Sequence, residues 1–400
     1  MSPFDGGFLF MKKVILLKGK EKKTKNAYPF IFKDEIGGWD PRPNSGEIVQ
    51  ILDYTGQLIG VGYANPKSNL VVRVLELGVE ELSENFWEKR IDGCISRRKD
   101  IISKNDAYRL VHAEADSLPG LIVDVIGEYA VLQSRSYGIE KVKNELAEFI
   151  FQKLHLKGVY ERSDMPSRAD EDLEPYVGLM KGTIPKEKIT ITENGVKFLA
   201  DIVSGHKTGY YADQRDNRLK VKNWVSKDDS VLDLFCYNGG FSMFAAVNAK
   251  SVLGIDFDPE AIVLANENAK LNGYTNTEFL AADAFAWLET AVEEKKQFDF
   301  IIIDPPAVAK KKEKADNEKW MFWRLVKGSL EILKPGGKLV VSSCAYHLNQ
   351  QNLAEACRIA ASDVGKVLTV KNITFQPDDH PWILQIPESM YLKTFFFELS

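Results

Sequence analysis

Several acidic residues and one cysteine stand where the sequence predicts that a buried strand ends. The predicted strand FDFIII is followed by Asp304, Pro305 and Pro306. The predicted strand KLVVSS comes after a turn predicted at Lys334-Pro335-Gly336-Gly337 and is followed by Cys344. Two consecutive prolines fix the backbone and remove two amide donors, so this loop offers carboxylate and carbonyl oxygens to a ligand. A rigid acceptor of this kind suits a planar base or an amine held beside a methyl donor, whereas hydride transfer does not require it.

Cys344 is a candidate nucleophile. A thiolate can add to C6 of a pyrimidine and make C5 nucleophilic enough to accept an activated methyl group. Thiols on buried strands are most often small core residues. The reactive interpretation therefore depends on the position at the strand end, beside Ser342, Ser343 and His347. Cys236, which lies in a glycine-containing turn, is a competing but less favoured candidate.

The other predicted strand ends carry groups suited to a nucleoside. The run DLFCYNGG begins at Asp233 and forms a turn whose glycines let the backbone approach a ligand, although it lacks the complete GxGxxG pattern. Asp256, 23 residues beyond Asp233, could accept both ribose hydroxyls, and Asp283 ends the next predicted strand. These features fit either a dinucleotide or a single nucleoside, and the IIIDPP motif favours the nucleoside.

These strand ends belong to a region, from about residue 225, in which strands and helices alternate. Continuous apolar strands between amphipathic helices are typical of a parallel sheet covered on both faces. Ligands of such sheets bind beyond the C-terminal ends of the strands, which is where the residues above are found. Two long β-type runs near the C-terminus, VLTVKNITFQ and YLKTFFFEL, predict an antiparallel hairpin at the sheet edge.

Two further regions precede the alternating one. Short β-type runs broken by glycine and proline predict a small N-terminal barrel. Between Lys12 and Lys33 there are eight lysines and one acidic residue, Glu21, which indicates either a solvated loop or a phosphate-contacting surface. From about residue 80 to 185 the pattern predicts a compact α+β module, and Asn194-Gly195 then predicts a tight hairpin.

Composition restricts the class of protein. A chain of 400 residues predicts two or three domains. The net charge of −5 excludes a uniformly basic nucleic-acid coat but not a local basic face. Four cysteines without a CxxC pair suggest neither structural zinc nor a disulfide scaffold, so we expect a cytoplasmic protein without a metal site. The sequence predicts neither a signal peptide nor a membrane helix.

Several longer motifs, taken together, resemble one known family. They are AYRLVHAEADSLPGLIVD at 107–124, YERSD at 160–164, HKTGYYADQRDNR at 206–218, DLFCYNGGFSMFAA at 233–246, DPPAVAKKK at 304–312, SSCAYHL at 342–348 and DHPWILQIPESMYLK at 379–393. They resemble the class I S-adenosylmethionine-dependent methyltransferases that modify cytosine C5 in large-subunit ribosomal RNA. The resemblance extends over residues 12–400.

This resemblance implies an α/β architecture of three domains. They are a PUA-like β-barrel at 12–80, a central α+β domain at 81–188 and a Rossmann-like methyltransferase domain at 189–400. The last would contain a mostly parallel seven-stranded sheet with an antiparallel edge hairpin. The implied cofactor is S-adenosyl-L-methionine, and the implied partner is large-subunit ribosomal RNA or a pre-ribosomal particle.

The resemblance also implies roles for individual residues. Asp233, Phe235 and Gly239 would lie against the methionine part of the cofactor, Asp256 would hold the ribose, Asp283 would reach the adenine amino group, and Gln214 and Arg218 would lie over the cofactor. Cys344 would be the nucleophile, and Asp304 would bind the base edge at N3 and N4 and would also contact the cofactor.

The sequence departs from related RNA cytosine methyltransferases at the strand-end motif. Many of them carry a second cysteine after its proline, which assists release of the adduct, but this chain has alanine at position 307. The identity of the releasing base is therefore left open. The loop that carries Lys310, Lys311, Lys312 and Lys314 also differs from the expected aromatic-containing form and is a candidate phosphate contact.

Three other functions stay open at this point. Methylation of a guanine or adenine amino group would need Asp304 but no thiol. A non-catalytic RNA-binding assembly factor would keep an unused pocket, which the set of strand-end acids argues against. A dehydrogenase is third, because the glycine fingerprint is incomplete.

Overall fold

The computed structural model describes residues 11–205, 208–307 and 315–400. They form two compact units. The first comprises the chain up to Ile189 together with Asp201–Tyr210 and Pro381–Pro387, and the second comprises Thr190–Ala200, Tyr211–His380 and Glu388–Ser400. The first unit contains two separate sheets, and the borders predicted near residues 80 and 188 stay predictions.

The first sheet of the first unit has six strands. They are β1 (Lys13–Leu16), β2 (Phe30–Phe32), β3 (Ile36–Asp40), β4 (Ile48–Leu52), β5 (Leu58–Ala64) and β6 (Leu70–Leu77), in the spatial order β2-β6-β5-β4-β1-β3. β1 is parallel to β4, and the other neighbours are antiparallel. Alternate side chains of β1 and β4, such as Val14, Leu16, Val49 and Ile51, are buried in one core, as a sheet with one covered face requires.

The lysine-rich stretch is not a uniformly solvated loop. It contains a short helix, α1 (Glu21–Lys25), between β1 and β2. Four of its lysines form ion pairs, which are Lys12 with Glu47, Lys20 with Asp34, Lys23 with Glu35 and Lys25 with Asp53. Four of the eight lysines are therefore neutralised by carboxylates that lie outside the stretch, at Asp34, Glu35, Glu47 and Asp53. The number of charges within the stretch could not predict these pairs.

The second sheet of the first unit has five strands and packs against helices. Its elements are α2 (Phe86–Arg97), α3 (Lys99–Ile102), β7 (Ala107–His112), β8 (Leu121–Ile126), β9 (Tyr129–Ser134), α4 (Tyr137–Lys153), β10 (Gly158–Ser163) and β11 (Tyr176–Gly182), with strand order β11-β10-β9-β8-β7. Ser136 caps α4 by accepting a hydrogen bond from the Ile139 backbone. Between the two sheets, the buried Glu171 carboxylate accepts from Arg73 at 2.7 Å and from Asn65 at 3.0 Å.

The second unit begins with the predicted hairpin and continues as alternating strands and helices. Its elements are β12 (Ile189–Glu193), β13 (Val196–Ala200), α5 (Arg215–Trp224), β14 (Ser230–Leu234), α6 (Gly240–Ala246), β15 (Ser251–Asp256), α7 (Pro259–Asn272), β16 (Thr277–Ala281), α8 (Ala284–Glu293), β17 (Phe298–Ile303), α9 (Ala315–Ile332), β18 (Leu333–Ser343), α10 (Gln350–Asp363), β19 (Leu368–Phe375) and β20 (Lys393–Leu399). Asn194 and Gly195 both have positive φ, as a tight hairpin turn needs.

A seven-stranded sheet organises this unit, in the order β16-β15-β14-β17-β18-β20-β19. The first five strands are parallel, and β20 pairs antiparallel with both β18 and β19. Successive residues of β17 face opposite sides: Ile301 and Ile303 pack in the core that contains α8, α9 and α10, whereas Phe300 and Ile302 pack with α5 and α6. The predicted α/β class with an antiparallel edge hairpin is confirmed.

One local prediction is wrong. The sequence Lys334-Pro335-Gly336-Gly337 predicts a turn before the strand, but these residues lie inside β18. The pairing of β17 with β18 passes from Phe298 opposite Leu333 to Phe300 opposite Lys338, so the strand accommodates the extra residues as an irregularity in its register. In the parts of the chain that the structure describes, no helix is long and apolar enough to cross a membrane.

Candidate active site

The turn after β14 has an unusual backbone. Phe235, Tyr237 and Gly239 have φ values of 64°, 50° and 78°. The left-handed region is uncommon for residues other than glycine, so the surroundings must hold this turn in place. The φ of 78° at position 239 favours glycine, and a Cβ atom there would in addition lie 2.9 Å from the terminal methyl of Met243. The Phe235 ring packs edge to face on Phe285, 6.0 Å away.

Asp256 is one of the groups that hold this turn. Its carboxylate accepts the backbone N–H of Tyr237 at 2.8 Å and that of Asp258 at 3.0 Å. Both oxygens are therefore committed to backbone donors at the end of β15. The next residue, Phe257, is 73% exposed. Such an aromatic ring beside a strand end could stack on a planar group; sequence analysis missed it, although the run GIDFD contains the signal.

Asp233 lies behind the turn. It is buried, and its Oδ2 accepts from the Ser242 hydroxyl at 2.6 Å, while Oδ1 has no hydrogen-bond partner among the described residues. Burial raises the pKa of this carboxyl to about 7, and the charges of Asp304 and Asp256 act in the same direction. The side chain supports the turn from inside and is not presented on its surface.

Asp283 is exposed at the start of α8. Its Oδ1 accepts the backbone N–H groups of Phe285 at 3.0 Å and Ala286 at 2.9 Å, which makes it the N-cap of the helix. The capping role and an additional contact with a ligand are compatible, because a carboxylate has two oxygens.

Asp304 is linked to the neighbouring strand by Gln214. The Gln214 Nε2 donates to Asp304 Oδ1 at 3.0 Å and to the Ser342 hydroxyl at 2.7 Å. Asp304 follows β17 and Ser342 lies near the end of β18, so one amide bridges two adjacent parallel strands at their C-terminal ends. The predicted residues Gln214 and Asp304 are thus brought into direct contact.

A buried polar network fixes the orientation of this amide. Asn217 Nδ2 donates to Gln214 Oε1 at 2.6 Å and to Thr394 Oγ1 at 3.0 Å, and the Thr394 hydroxyl donates to Ser342 Oγ at 3.0 Å. Because the Gln214 oxygen is occupied by a donor, its amide hydrogens face Asp304 and Ser342. The network joins α5, β18 and β20, and Asn217 and Thr394 were not predicted.

Cys344 follows β18 directly and is partly exposed. The phenol of Tyr211 lies within electrostatic range of this thiol and of Asp304. Burial raises the pKa of Tyr211 to about 12, and the charges of Asp213, Cys344 and Asp304 contribute to the rise. The Tyr211 ring also packs edge to face on Tyr237, with 5.3 Å between ring centroids. Tyr211 therefore connects the turn after β14 with the ends of β17 and β18, and sequence analysis missed this role.

Cys236 differs from Cys344 in its surroundings. It is buried in the turn after β14, and burial raises the pKa of its thiol well above the ordinary range. The nucleophile is the thiolate, so the Cys236 thiol is unsuited to nucleophilic attack. Burial likewise raises the pKa values of Cys94 and Cys357 to about 12.

Arg218 is buried and contacts protein groups. Its guanidinium makes two hydrogen bonds of 2.7 Å to the Glu193 carboxylate and one of 2.8 Å to the Tyr211 carbonyl. Paired donors of this kind hold a carboxylate in one orientation. Arg218 thereby fixes the backbone of Tyr211 against the β12–β13 hairpin. The candidate phosphate contacts Lys310, Lys311, Lys312 and Lys314 lie outside the described residues.

Comparisons with known proteins identify relatives of the whole chain. Residues 14–77 match the family described as a PUA-like domain, and residues 225–385 match the family described as a methyltransferase domain. The ribosomal RNA large subunit methyltransferase I of Vibrio cholerae is 34% identical over 389 residues, which cover 96% of this chain and 98% of the relative. The protein of the same name from Vibrio parahaemolyticus is 35% identical over the same shares of the two chains.

Solved structures share the fold. A methyltransferase complexed with SAH aligns with a TM-score of 0.83 at 22% identity, covering 97% of this chain and all of that one. An S-adenosylmethionine-dependent methyltransferase from Streptococcus mutans aligns with a TM-score of 0.81, also at 22% identity and with the same coverage.

These relatives agree with the sequence-based expectations. The predictions of a PUA-like domain, a Rossmann-like methyltransferase domain and S-adenosylmethionine as the cofactor are confirmed at the level of the family. On the strength of its full-length similarity, the chain belongs to the ribosomal RNA large subunit methyltransferase I family.

Proposed function

We propose that this protein forms 5-methylcytosine in large-subunit ribosomal RNA through a covalent adduct between Cys344 and C6 of the cytosine. The names of the relatives support the class of RNA, because proteins 34–35% identical over nearly the whole chain are ribosomal RNA large subunit methyltransferases. The choice of C5 rests on the residues of this chain. Its PUA-like domain would contribute further RNA contacts.

The observation that carries the proposal is the bridge made by Gln214. It ties the Asp304 carboxylate to Ser342, two residues before Cys344 on the adjacent strand. A rigid carboxylate and a partly exposed thiol therefore stand at neighbouring strand ends. Methylation of an exocyclic amino group would use the carboxylate but would leave the thiol without a role.

The residues beyond β14, β15 and β16 fit S-adenosylmethionine. Gly239 would bring the backbone of the turn close to the methionine part, with Phe235 and the buried Asp233 supporting that turn. The exposed ring of Phe257 and the exposed carboxylate of Asp283 suit the faces and the amino group of an adenine. Both oxygens of Asp256 already accept backbone N–H groups. Asp256 would therefore bind the ribose hydroxyls and hold the turn at the same time. When bound, the cofactor supplies an electrophilic methyl group.

The chain's own residues would then act on the cytosine. The Cys344 thiolate forms a bond to C6, and the electron pair of the C5–C6 double bond makes C5 nucleophilic. As negative charge develops on the ring, N3 takes up a proton from solvent, and Asp304 accepts hydrogen bonds from this N3–H and from the N4 amino group. N3 returns the proton to solvent when the adduct breaks down. After C5 has gained the methyl group, its proton passes to a base, the double bond re-forms and the bond between sulfur and C6 breaks. Cys344 leaves as the thiolate, so the enzyme is regenerated.

The target base must leave its helix to reach this site, because C5 and C6 of a stacked, paired base are inaccessible from the required directions. The Tyr211 phenol lies within electrostatic range of both Cys344 and Asp304. Its raised pKa keeps the phenol protonated at neutral pH, so it can donate a hydrogen bond but cannot act as the base that removes the C5 proton.

The proposal is tested by trapping the adduct. RNA that contains 5-fluorocytosine at the target position has no C5 proton to lose, so the enzyme should stay covalently attached after methyl transfer. We expect a protein–RNA species that survives denaturing electrophoresis with the wild-type protein and is absent with Cys344→Ala. Mass mapping of the attached peptide should identify residue 344.

Two results would contradict the proposal. Methylated RNA without any trapped species, together with an N-methylated purine in the product, would establish amino-group methylation. Calorimetric titration that detects no binding of S-adenosylmethionine would instead support a non-catalytic assembly factor.

A further inference from the structure

A lysine is buried directly beside the proposed nucleophile. Lys393 opens β20, and the antiparallel pairing of β18 with β20 places it opposite Ser343, the residue before Cys344. Its side chain is 2% exposed. Burying an ammonium group is strongly unfavourable unless the charge is compensated, and an apolar side chain in this strand would avoid that cost. The surroundings of Lys393 therefore require an explanation.

The amine contacts the segment that follows Cys344. Its Nζ donates to the Ala345 carbonyl at 2.5 Å and to the Leu348 carbonyl at 2.6 Å. These two bonds tie both ends of the 345–348 segment to β20. Ala345 is the residue directly after the proposed nucleophile, so one of these bonds is made to the residue next to Cys344.

Two ionisable groups lie within electrostatic range of this amine. They are Cys344, after β18, and the buried Glu318, on α9. Burial lowers the pKa of Lys393 to about 8, and negative charge on Cys344 and Glu318 opposes that fall. Electrostatic interactions are reciprocal, so the ammonium favours the thiolate as much as the thiolate favours the ammonium.

We propose that Lys393 is a positioning residue for Cys344, which holds the 345–348 segment in place and supplies the positive charge that favours the thiolate. This inference rests on the proposed role of Cys344 as the nucleophile. Lys393 touches neither the base nor the cofactor in this role. It acts on the reaction only through the thiol.

The pH dependence of alkylation of Cys344 tests the inference without RNA. Iodoacetamide reacts with thiolates, and peptide mapping by mass spectrometry separates modification of Cys344 from that of the three buried cysteines. In Lys393→Met and Lys393→Gln we expect the midpoint of the alkylation profile to rise by about one pH unit, which slows the reaction about tenfold at neutral pH. Lys393→Gln can still donate to a carbonyl, so it separates the effect of charge from that of hydrogen bonding. Lys393→Arg should keep the midpoint low.

Lys366 offers a matched control. Its Nζ also donates to two backbone carbonyls, those of Leu330 and Leu333, in the same unit but away from the thiol. Lys366→Met should lower stability without moving the alkylation midpoint of Cys344. An equal shift in the Lys366 and Lys393 variants would show that the effect is only structural and would overturn the inference.

The alkylation midpoint of Cys344 in the wild-type protein is a test that needs no variant. A Cys344 midpoint at or above that of an ordinary thiol, about 8.5, would overturn the inference even if Lys393→Met and Lys393→Gln failed to fold. Failure of the proposed function is recognised separately, because it appears as absence of the 5-fluorocytosine adduct whatever the alkylation profile is. A shifted profile without an adduct would retain the role of Lys393 and reject the cytosine chemistry.

Discussion

The two halves of the site are held in place by different means. We call the ends of β14, β15 and β16 the turn side, and the ends of β17 and β18 the thiol side. On the turn side, Asp256 and Asp283 bond to backbone N–H groups, most of them two or three residues along the chain. On the thiol side, side chains bond to side chains from distant segments, as Gln214 does with Ser342, 128 residues away.

This difference separates binding from chemistry. A turn held by backbone bonds presents a main-chain surface, which suits a cofactor that is always the same. Side chains held by a buried network can be aimed at reacting atoms, and small displacements of such groups reduce turnover strongly. We therefore expect substitutions on the thiol side to lower the rate of methylation and substitutions on the turn side to weaken cofactor binding.

The largest loss of methylation is expected on the thiol side, and the two cysteines Cys344 and Cys236 allow the two sides to be compared. Cys344→Ala should lower methylation by more than about a thousandfold, because the covalent route is lost. Cys236→Ala, on the turn side, should retain most of the activity, since its buried thiol has a raised pKa and is not a nucleophile. Both variants should bind S-adenosylmethionine nearly as well as wild type in calorimetric titrations. Loss of activity in Cys236→Ala with retention in Cys344→Ala would reverse the assignment of the halves.

The next effect concerns Asp233, which supports the turn side from inside. Its pKa is raised to about 7, so the folded protein holds a proton that the unfolded chain, with a pKa near 3.9, releases. Stability therefore falls as the pH rises between these values. Asp233→Asn cannot titrate, so well above pH 7 it should be more stable than wild type by about 4 kcal/mol, and near pH 4 the two should be similar.

Urea unfolding of the two proteins at several pH values checks this, because the difference between them cancels the other titrating groups. A difference that is constant from pH 4 to pH 8.5 would contradict the protonated state of Asp233. Cofactor affinity should change little in Asp233→Asn, since this side chain is buried beneath the turn.

The contrast between the halves also explains what the sequence could predict. The strand-end residues Asp256, Asp283, Asp304 and Cys344 were found because an apolar run followed by a polar group is a local signal. The alternation of strands and helices and the β19–β20 hairpin were predicted from the same kind of local pattern, whereas the spatial order of the strands was not. The Asn194-Gly195 turn was equally local.

The partners on the thiol side could not be predicted in the same way. Lys393 and Thr394 belong to a run that reads as an ordinary edge strand, and their importance depends on the register of β20 against β18. Register is set by tertiary packing. The role of Tyr211 depends on two tertiary contacts, the hydrogen bond from Arg218 to its carbonyl and the packing of its ring on Tyr237. Side-chain networks between segments more than 100 residues apart leave no periodic signal in the sequence.

Gln214 tests the thiol side without removing a reacting group. Gln214→Leu deletes the donor to Asp304 and Ser342, so the carboxylate loses its fixed position. We expect the rate at saturating cofactor to fall about a hundredfold, with the dissociation constant for S-adenosylmethionine nearly unchanged. Gln214→Glu should be at least as severe, because a carboxylate cannot donate to Asp304 and adds a like charge beside it. A cofactor affinity that falls as much as the rate would place Gln214 on the turn side.

The smallest effect is expected at Asp256, where a substitution should weaken cofactor binding and leave the saturated rate unchanged, the opposite of Gln214→Leu. Asp256→Ala removes the acceptor for the N–H groups of Tyr237 and Asp258, so the strained backbone of the turn loses a constraint. Each lost hydrogen bond to a charged group is worth about 1.5–3 kcal/mol, part of which water recovers. We expect cofactor affinity to fall about tenfold, while the rate at saturating cofactor stays close to wild type.

A neighbouring variant separates this effect from simple destabilisation. Asp258→Ala removes the carboxylate that accepts the Glu260 N–H at the start of α7 but keeps the backbone N–H that donates to Asp256. It should cost about 1 kcal/mol of stability with unchanged cofactor affinity. If Asp256→Ala lowered the saturated rate and spared affinity, the turn would be shaping the reacting groups as well. The two sides would then form one cooperative site, linked through the contact of Tyr237 with Tyr211, and the division between binding and chemistry would fail.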